Sequence, residues 1–138
     1  MPAAALYKLS ESDNPVRDML AQIGDLSQIQ LAGGRVLLWT YIAPSKTKGG
    51  IILTNRETKE NIWQATVGYI VKCGPLAFKD DLPNGINFGG FSPKVGDWVV
   101  FTPGEGKRRQ INGVDCRIIE DSLIEMKIED PQSITHYQ

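Results

Sequence analysis

The chain has 138 residues, of which 41% are hydrophobic and 22% are charged, and its formal net charge at pH 7 is −1. These values are typical of one soluble globular domain with or without a tail, and they exclude a broad attraction to nucleic acid or to an anionic membrane. No apolar stretch is long enough for a membrane span, and the N-terminus lacks the basic and apolar regions of a secretory signal, so we expect a cytoplasmic protein.

Residues 1–33 are predicted to be an N-terminal extension that contains one short helix. Asn14 and Pro15 offer an N-cap and a proline at the first helical position, and Gly24 offers a C-cap. Apolar residues between them recur at helical spacing. They are Val16, Met19, Leu20 and Ile23. We expect this face to lie on the domain or on a neighbouring subunit, and a second short element to cover residues 27–31.

Short runs of β-branched and aromatic residues, separated by turn signals, fill most of the remaining chain. They predict strands at 35–43, 63–73, 95–102, 107–111 and 114–119, and a last strand formed by Leu123, Ile124, Met126 and Ile128. Asn112-Gly113 is the strongest hairpin signal, and Gly68 inside a strand indicates a bend. We therefore predict an all-β protein, a small antiparallel β-barrel over residues 34–130, followed by a polar tail at 131–138.

The stretch from 46 to 62 is predicted to be a long mobile loop. Its apolar residues Ile51, Ile52 and Leu53 lie alone in a polar run, directly after Gly49 and Gly50. Structureless connections of this length are usually functional or disordered, which favours a docking segment for an outside partner. Spacing alone leaves open that the triplet is a short strand packed on the chain's own core.

Residues 74–94 contain several glycines and prolines and predict a long excursion from the barrel, with a tight turn at Asn84-Gly85. Asp80 and Asp81 within it are interpreted as solvated loop charges. The basic run Lys107-Arg108-Arg109 is interpreted as a solvated hairpin.

We predict no enzymatic activity, no metal and no cofactor. The single histidine, His136, lies in the tail, and no nucleophile–base pair or metal-ligand spacing is visible. Cys73 and Cys116 fall in predicted strands, where cysteine is most often a small buried hydrophobe, and nothing requires them to form a disulfide. A reducing cytoplasm is the simplest setting for them.

Five segments, taken in order and at their spacings, resemble the GroES-type co-chaperonins. They are Gly34-Arg35-Val36-Leu37-Leu38, Gly49-Gly50-Ile51-Ile52-Leu53, Val67-Gly68-Tyr69-Ile70-Val71-Lys72-Cys73-Gly74, Lys94-Val95-Gly96-Asp97-Trp98-Val99-Val100-Phe101 and Ile118-Ile119-Glu120-Asp121-Ser122-Leu123-Ile124. The likeness covers about residues 34–128.

The resemblance implies a homo-oligomeric ring, usually of seven subunits, that caps a double-ring chaperonin ATPase and so assists ATP-dependent protein folding. It implies that the loop at 46–62 binds the chaperonin's apical domains through Gly49, Gly50, Ile51, Ile52 and Leu53. The excursion at 74–94 then corresponds to the family's roof hairpin. First and last strands of neighbouring subunits are expected to pair. The interface residues predicted there are Val36, Leu38, Leu123, Ile124, Met126 and Ile128.

The chain departs from this family in its N-terminal extension, its C-terminal tail and the basic run that follows Gly104-Glu105-Gly106. Such extensions are similar to those of the divergent co-chaperonin-like proteins encoded by bacteriophages. That likeness implies a role in folding phage capsid protein in the host cytoplasm. The alternative is a structural or capsid decoration protein of a phage virion, built on the same barrel and bound to capsid proteins.

Overall fold

The computed structural model describes residues 14–41, 66–80, 88–102 and 104–131. Within these ranges it contains one helix, six strands and one 3₁₀ turn. They are α1 (Pro15–Ile23), β1 (Arg35–Tyr41), β2 (Val67–Cys73), β3 (Trp98–Phe101), β4 (Lys107–Ile111), β5 (Val114–Glu120), the 3₁₀ turn (Asp121–Leu123) and β6 (Ile124–Ile128). No helix of the described residues is long and apolar enough to cross a membrane.

Helix α1 begins and ends where the sequence predicts. The Asn14 side chain accepts a hydrogen bond from the backbone N–H of Arg17, and Gly24 has a φ of 73° and donates its N–H to the carbonyl oxygen of Leu20. Met19 is fully buried, whereas Leu20 is 45% exposed because it lies on the side of the helix away from the sheet. Residues 27–31 contain only a turn, so the second short element predicted there is wrong.

All six strands belong to one antiparallel sheet with the order β4-β5-β1-β2-β3-β6. Strands β5 and β6 lie far apart in this order, yet only the three residues of the 3₁₀ turn connect them. The guanidinium of Arg117 on β5 also lies 5.1 Å from the ring centre of Phe101 on β3, across two intervening strands. The sheet must therefore curl until its ends approach each other, which confirms the predicted small barrel.

Each face of the curled sheet carries a buried cluster. An inner cluster packs inside the curl and consists of Val36, Leu38, Ile70, Phe78, Val99, Phe101, Ile119 and Ile124. An outer cluster lies between α1 and the sheet and consists of Met19, Ile23, Leu37, Trp39, Tyr41, Val67, Val71, Val100, Val114 and Cys116. Neighbouring strand residues point to opposite faces. For that reason the stretch 36–39 of β1 is apolar at every position and does not alternate with polar residues.

Several predicted boundaries shift. Residues 42–43 and 63–65 lie outside the described part of the chain. Strand β3 begins at Trp98 because residues 95 and 96 form a turn, which leaves Val95 60% exposed. Leu123 belongs to the 3₁₀ turn. The hairpin at Asn112-Gly113 is confirmed, with φ values of 51° and 82° at these two positions.

Gly68 marks a close approach inside the curl. A Cβ atom at this position would lie 3.0 Å from the Leu38 Cβ and 3.3 Å from the Phe101 ring. Any larger residue would have to displace two members of the inner cluster. The glycine predicted to mark a bend is required here by packing.

Candidate functional site

The predicted docking residues Gly49, Gly50, Ile51, Ile52 and Leu53 lie outside the described residues, as does the whole of 46–62. The structure does describe where this part of the chain leaves and re-enters the sheet. Tyr41, the last residue of β1, is paired with Val67, the first residue of β2. The carbonyl oxygen of Thr66 accepts a hydrogen bond of 2.8 Å from the N–H of Phe101. We call Thr40–Tyr41 and Thr66–Val67 the roots of segment 42–65.

A polar cluster lies beside these roots, and it is buried except for Arg108, whose side chain is 34% exposed. It consists of Thr40, Arg108, Asp115 and Arg117. Asp115 and Arg117 are only 2% and 1% exposed. Asp115 Oδ1 lies 3.3 Å from the Arg108 Nη2, and Arg117 Nη1 donates a hydrogen bond of 3.1 Å to the carbonyl oxygen of Glu105.

Burial is the main influence on the pKa values of Asp115 and Arg117. Loss of water raises the pKa of the Asp115 carboxyl, while Arg108, Thr40 and Arg117 lower it. Burial also lowers the pKa of Arg117, and Asp115 opposes that change. Arg108 and Arg117 are directly opposite each other in the β4–β5 register. Like charges directly opposite each other are destabilising, and the Asp115 carboxylate beside Arg108 offsets part of this repulsion.

The sequence interpretation missed this cluster. Strand β5 alternates Val114, Asp115, Cys116, Arg117 and Ile118, a pattern that usually places the polar face in water. Here the apolar face lies under α1 and the polar face points into the curl. The sequence contained one indication of this cluster, because an Asp and an Arg two residues apart in a strand lie on the same face. The solvated-hairpin interpretation of 107–109 is correspondingly wrong for Arg108, which binds Asp115.

The structure contradicts the interface role predicted for Val36 and Leu38. Both side chains are fully buried in the inner cluster of their own chain. Strand β1 lies in the middle of the sheet, hydrogen-bonded to β2 on one side and to β5 on the other. It therefore has no free edge to offer to a neighbouring subunit, and the expectation that it covers the neighbour's last strand is wrong.

The interface residues predicted on the last strand are more exposed than Val36 and Leu38. Strand β6 is at the end of the sheet and pairs only with β3 among the described strands. Ile124 is 7% exposed and belongs to the inner cluster, whereas Met126 is 45% exposed and Ile128 is half-buried. Met126 and Ile128 thus remain candidates for contact with another subunit.

A groove of about 620 Å³ crosses the surface near the opposite end of the sheet. Apolar side chains in its lining include Leu31, Ile118 and Leu123, and Lys107 is among the charged ones. Residues 29–32 along this groove belong to no helix or strand of the described chain. The groove therefore brings several apolar side chains together with a stretch of backbone that belongs to no described strand.

The base of the predicted roof excursion is held by Asp121. Its Oδ2 accepts a hydrogen bond of 2.9 Å from the N–H of Phe78, a buried residue with a φ of 59°. The Phe78 ring packs edge-on against Phe88 and Phe91, with ring centres 5.4 and 5.9 Å apart. Residues 81–87, including Asn84-Gly85, lie outside the described residues.

No group of three or more potential metal ligands occurs among the described residues. Cys73 and Cys116 are both free cysteines. Burial raises the pKa of Cys116 to about 12, and burial together with Asp97 raises the pKa of Cys73.

The model of the chaperonin 10 kDa subunit family matches residues 28–128. The match includes all six strands and segment 42–65, and leaves α1 outside it. A search of curated proteins found no match to this chain. Members of this family are co-chaperonins, which assemble into oligomers and act with a chaperonin ring. The curled six-stranded sheet and the match over most of the sequence together show that this chain belongs to the chaperonin 10 kDa subunit family.

Proposed function

We propose that this chain is a subunit of a co-chaperonin ring, and that it caps a chaperonin through residues 49–53 of segment 42–65. The observation that carries the proposal is the family match, which runs continuously through this segment. The two roots are consistent with this proposal, because Tyr41 and Val67 are directly paired, so the chain leaves and re-enters the sheet at neighbouring positions.

The chemistry of the triplet suits weak, repeated binding. Burying each of Ile51, Ile52 and Leu53 on a partner would contribute about 1.5–3 kcal/mol. Ordering each residue of the segment would cost about 1–2 kcal/mol of backbone entropy. One copy therefore binds weakly. A ring of identical copies makes later contacts intramolecular and gains avidity, while weak single contacts still permit release.

For ring assembly we propose head-to-tail contact between the β6 edge of one subunit and the groove of the next. Met126 and Ile128 would supply the apolar contacts on the β6 side, and Leu31, Ile118 and Leu123 would receive them. Residues 29–32 would take the pairing role first assigned to β1, since β1 has no free edge. Two different surfaces that meet in this way close into a ring when the rotation fits, and seven subunits is the expected number.

The decisive experiment mixes the purified full chain with a chaperonin and ATP and looks for capped particles by electron microscopy. Capped particles are expected only in the presence of nucleotide. Absence of capping, together with recovery of the protein from purified phage particles, would contradict the proposal and favour the capsid decoration role.

A further inference from the structure

We infer that α1 and the turn after it are an assembly element, because they hold residues 29–32 in place as one wall of the groove. The consequence rests on the proposed function, in which this groove receives the β6 edge of a neighbouring subunit. The anchoring itself rests on contacts among described residues. Helix α1 and residues 24–27 lie outside the family match, which begins at residue 28. Assembly would therefore depend on a part of the chain that the family match does not include.

The first anchor joins the end of α1 to the hairpin between β4 and β5. The Asn112 side chain donates a hydrogen bond to the carbonyl oxygen of Ile23, and the Gln22 side chain donates one to the carbonyl oxygen of Asn112. The side chains of Met19 and Ile23 are fully buried in the outer cluster. The helix is therefore fixed to the barrel both by its apolar face and by its last turn.

The second anchor lies three residues further along the chain. The Lys72 Nζ donates a hydrogen bond of 2.6 Å to the carbonyl oxygen of Leu26, and a charged donor makes such a bond stronger than one between neutral groups. The same oxygen accepts a hydrogen bond of 3.0 Å from the backbone N–H of Ile29. Lys72 therefore fixes the atom on which the turn into residues 29–32 closes. Since Lys72 is on β2 and Asn112 is at the end of β5, the two anchors lie on opposite sides of β1.

Residues 29–32 extend this anchoring into the groove. Gln30, Leu31 and Ala32 line the groove, and Leu31 also packs against the outer cluster. The carbonyl oxygen of Ala32 accepts a hydrogen bond of 3.1 Å from the N–H of Arg35, where β1 begins. The wall is thus held at both of its ends before any partner arrives. A surface that is already ordered binds more tightly, because no ordering cost is added on association.

Lys72→Met/Asn112→Gly removes both anchors in the full-length protein. Methionine is unbranched but has no N–H donor, and glycine accepts the left-handed backbone of the hairpin. Dissociation of the oligomer, followed by light scattering over a dilution series, should shift to a protein concentration about tenfold higher or more. Lys94→Met is the matched control. It removes the same charge from an exposed position before β3 and should leave dissociation unchanged.

Amide hydrogen exchange measures the anchoring separately from assembly. The measurement is made in a Met126→Glu background, which places a charge in the proposed interface and is expected to be monomeric, so that a neighbouring subunit cannot protect the amides. Exchange at the Ile29 amide should rise about tenfold or more when both anchors are removed. Exchange at the Phe101 amide, which donates to the carbonyl oxygen of Thr66 in the sheet, should not change.

Two single variants support the comparison. Lys72→Met alone keeps the test available if the double variant fails to fold, and it should still raise exchange at Ile29. Lys72→Arg keeps a cationic donor and should retain most of the protection. Unchanged exchange at Ile29, or an equal rise at Ile29 and Phe101, would overturn the inference. Loosening at Ile29 without weaker assembly would overturn it as well. A monomeric parent would contradict ring assembly and with it the assembly role, and a selective rise at Ile29 would then establish the anchoring alone.

Discussion

The side-chain amide nitrogen of Asn112 donates a hydrogen bond of 2.6 Å to the carbonyl oxygen of Ile23. Ile23 is the last residue of α1, where backbone carbonyls have no partner within the helix. The hairpin tip between β4 and β5 therefore caps a helix that lies outside the family match. Gln22 returns a hydrogen bond of 3.4 Å to the Asn112 carbonyl oxygen, so the two elements are joined in both directions.

Asn112→Gly should lower the free energy of unfolding by about 0.5–1.5 kcal/mol, because the capping hydrogen bond is lost while glycine still accepts the left-handed backbone. Asn112→Ala should lower it by about 1–2 kcal/mol more, since the φ of 51° is then strained. Urea unfolding followed by circular dichroism measures both values. Equal stability of the parent and Asn112→Gly would show that the bond contributes nothing.

Ile52→Asp should abolish capping of a chaperonin and leave the barrel folded, because a charge would be buried on the partner without a counter-charge. Ile52→Val is the matched control and should retain most of the binding, since it removes one methylene group. Electron microscopy scores capping, and circular dichroism scores the fold. An unfolded Ile52→Asp variant would instead mean that the triplet packs in the chain's own core.

Met126→Glu should convert the oligomer to monomers at micromolar concentration, because a carboxylate would replace an apolar contact in the proposed interface. Leu20→Glu is the control, since Leu20 on α1 has the same 45% exposure but lies away from the β6 edge. Light scattering after size exclusion measures the mass of each variant. Removal of the polar tail at 131–138 should leave the oligomer intact. A monomeric parent protein would contradict ring assembly altogether.

In the folded protein at pH 8, a thiol reagent should modify Cys73 faster than Cys116. With a pKa of about 12, only about one Cys116 side chain in ten thousand is the reactive thiolate at that pH. Cys73 also has a raised pKa but is only half-buried. Both thiols should react once the chain is unfolded in denaturant. Cys73→Ser should leave the folded protein nearly inert, and rapid labelling of that variant would show that Cys116 is accessible.

Local sequence signals were enough to predict the helix, the hairpin and the approximate positions of the strands along the chain. Asn14, Pro15 and Gly24 determine both ends of α1 because capping and proline geometry depend only on nearby residues. Asn112 and Gly113 determine the hairpin because few residues adopt positive φ at low cost. The ordered motifs also indicated the family, since they occur at the spacings that the family match covers.

Which face of each strand is buried, and which strand is an edge, depended on the tertiary structure. The sequence predicted Val36 and Leu38 as interface residues, but β1 lies between β2 and β5 in the sheet and is not an edge strand. Asp115 and Arg117 have the alternation of a solvated face, and only the curl of the sheet turns that face inward against Phe101. Strand periodicity fixes which residues share a face. Which of the two faces meets water depends on what packs there, and that is decided by α1 and by the closure of the barrel.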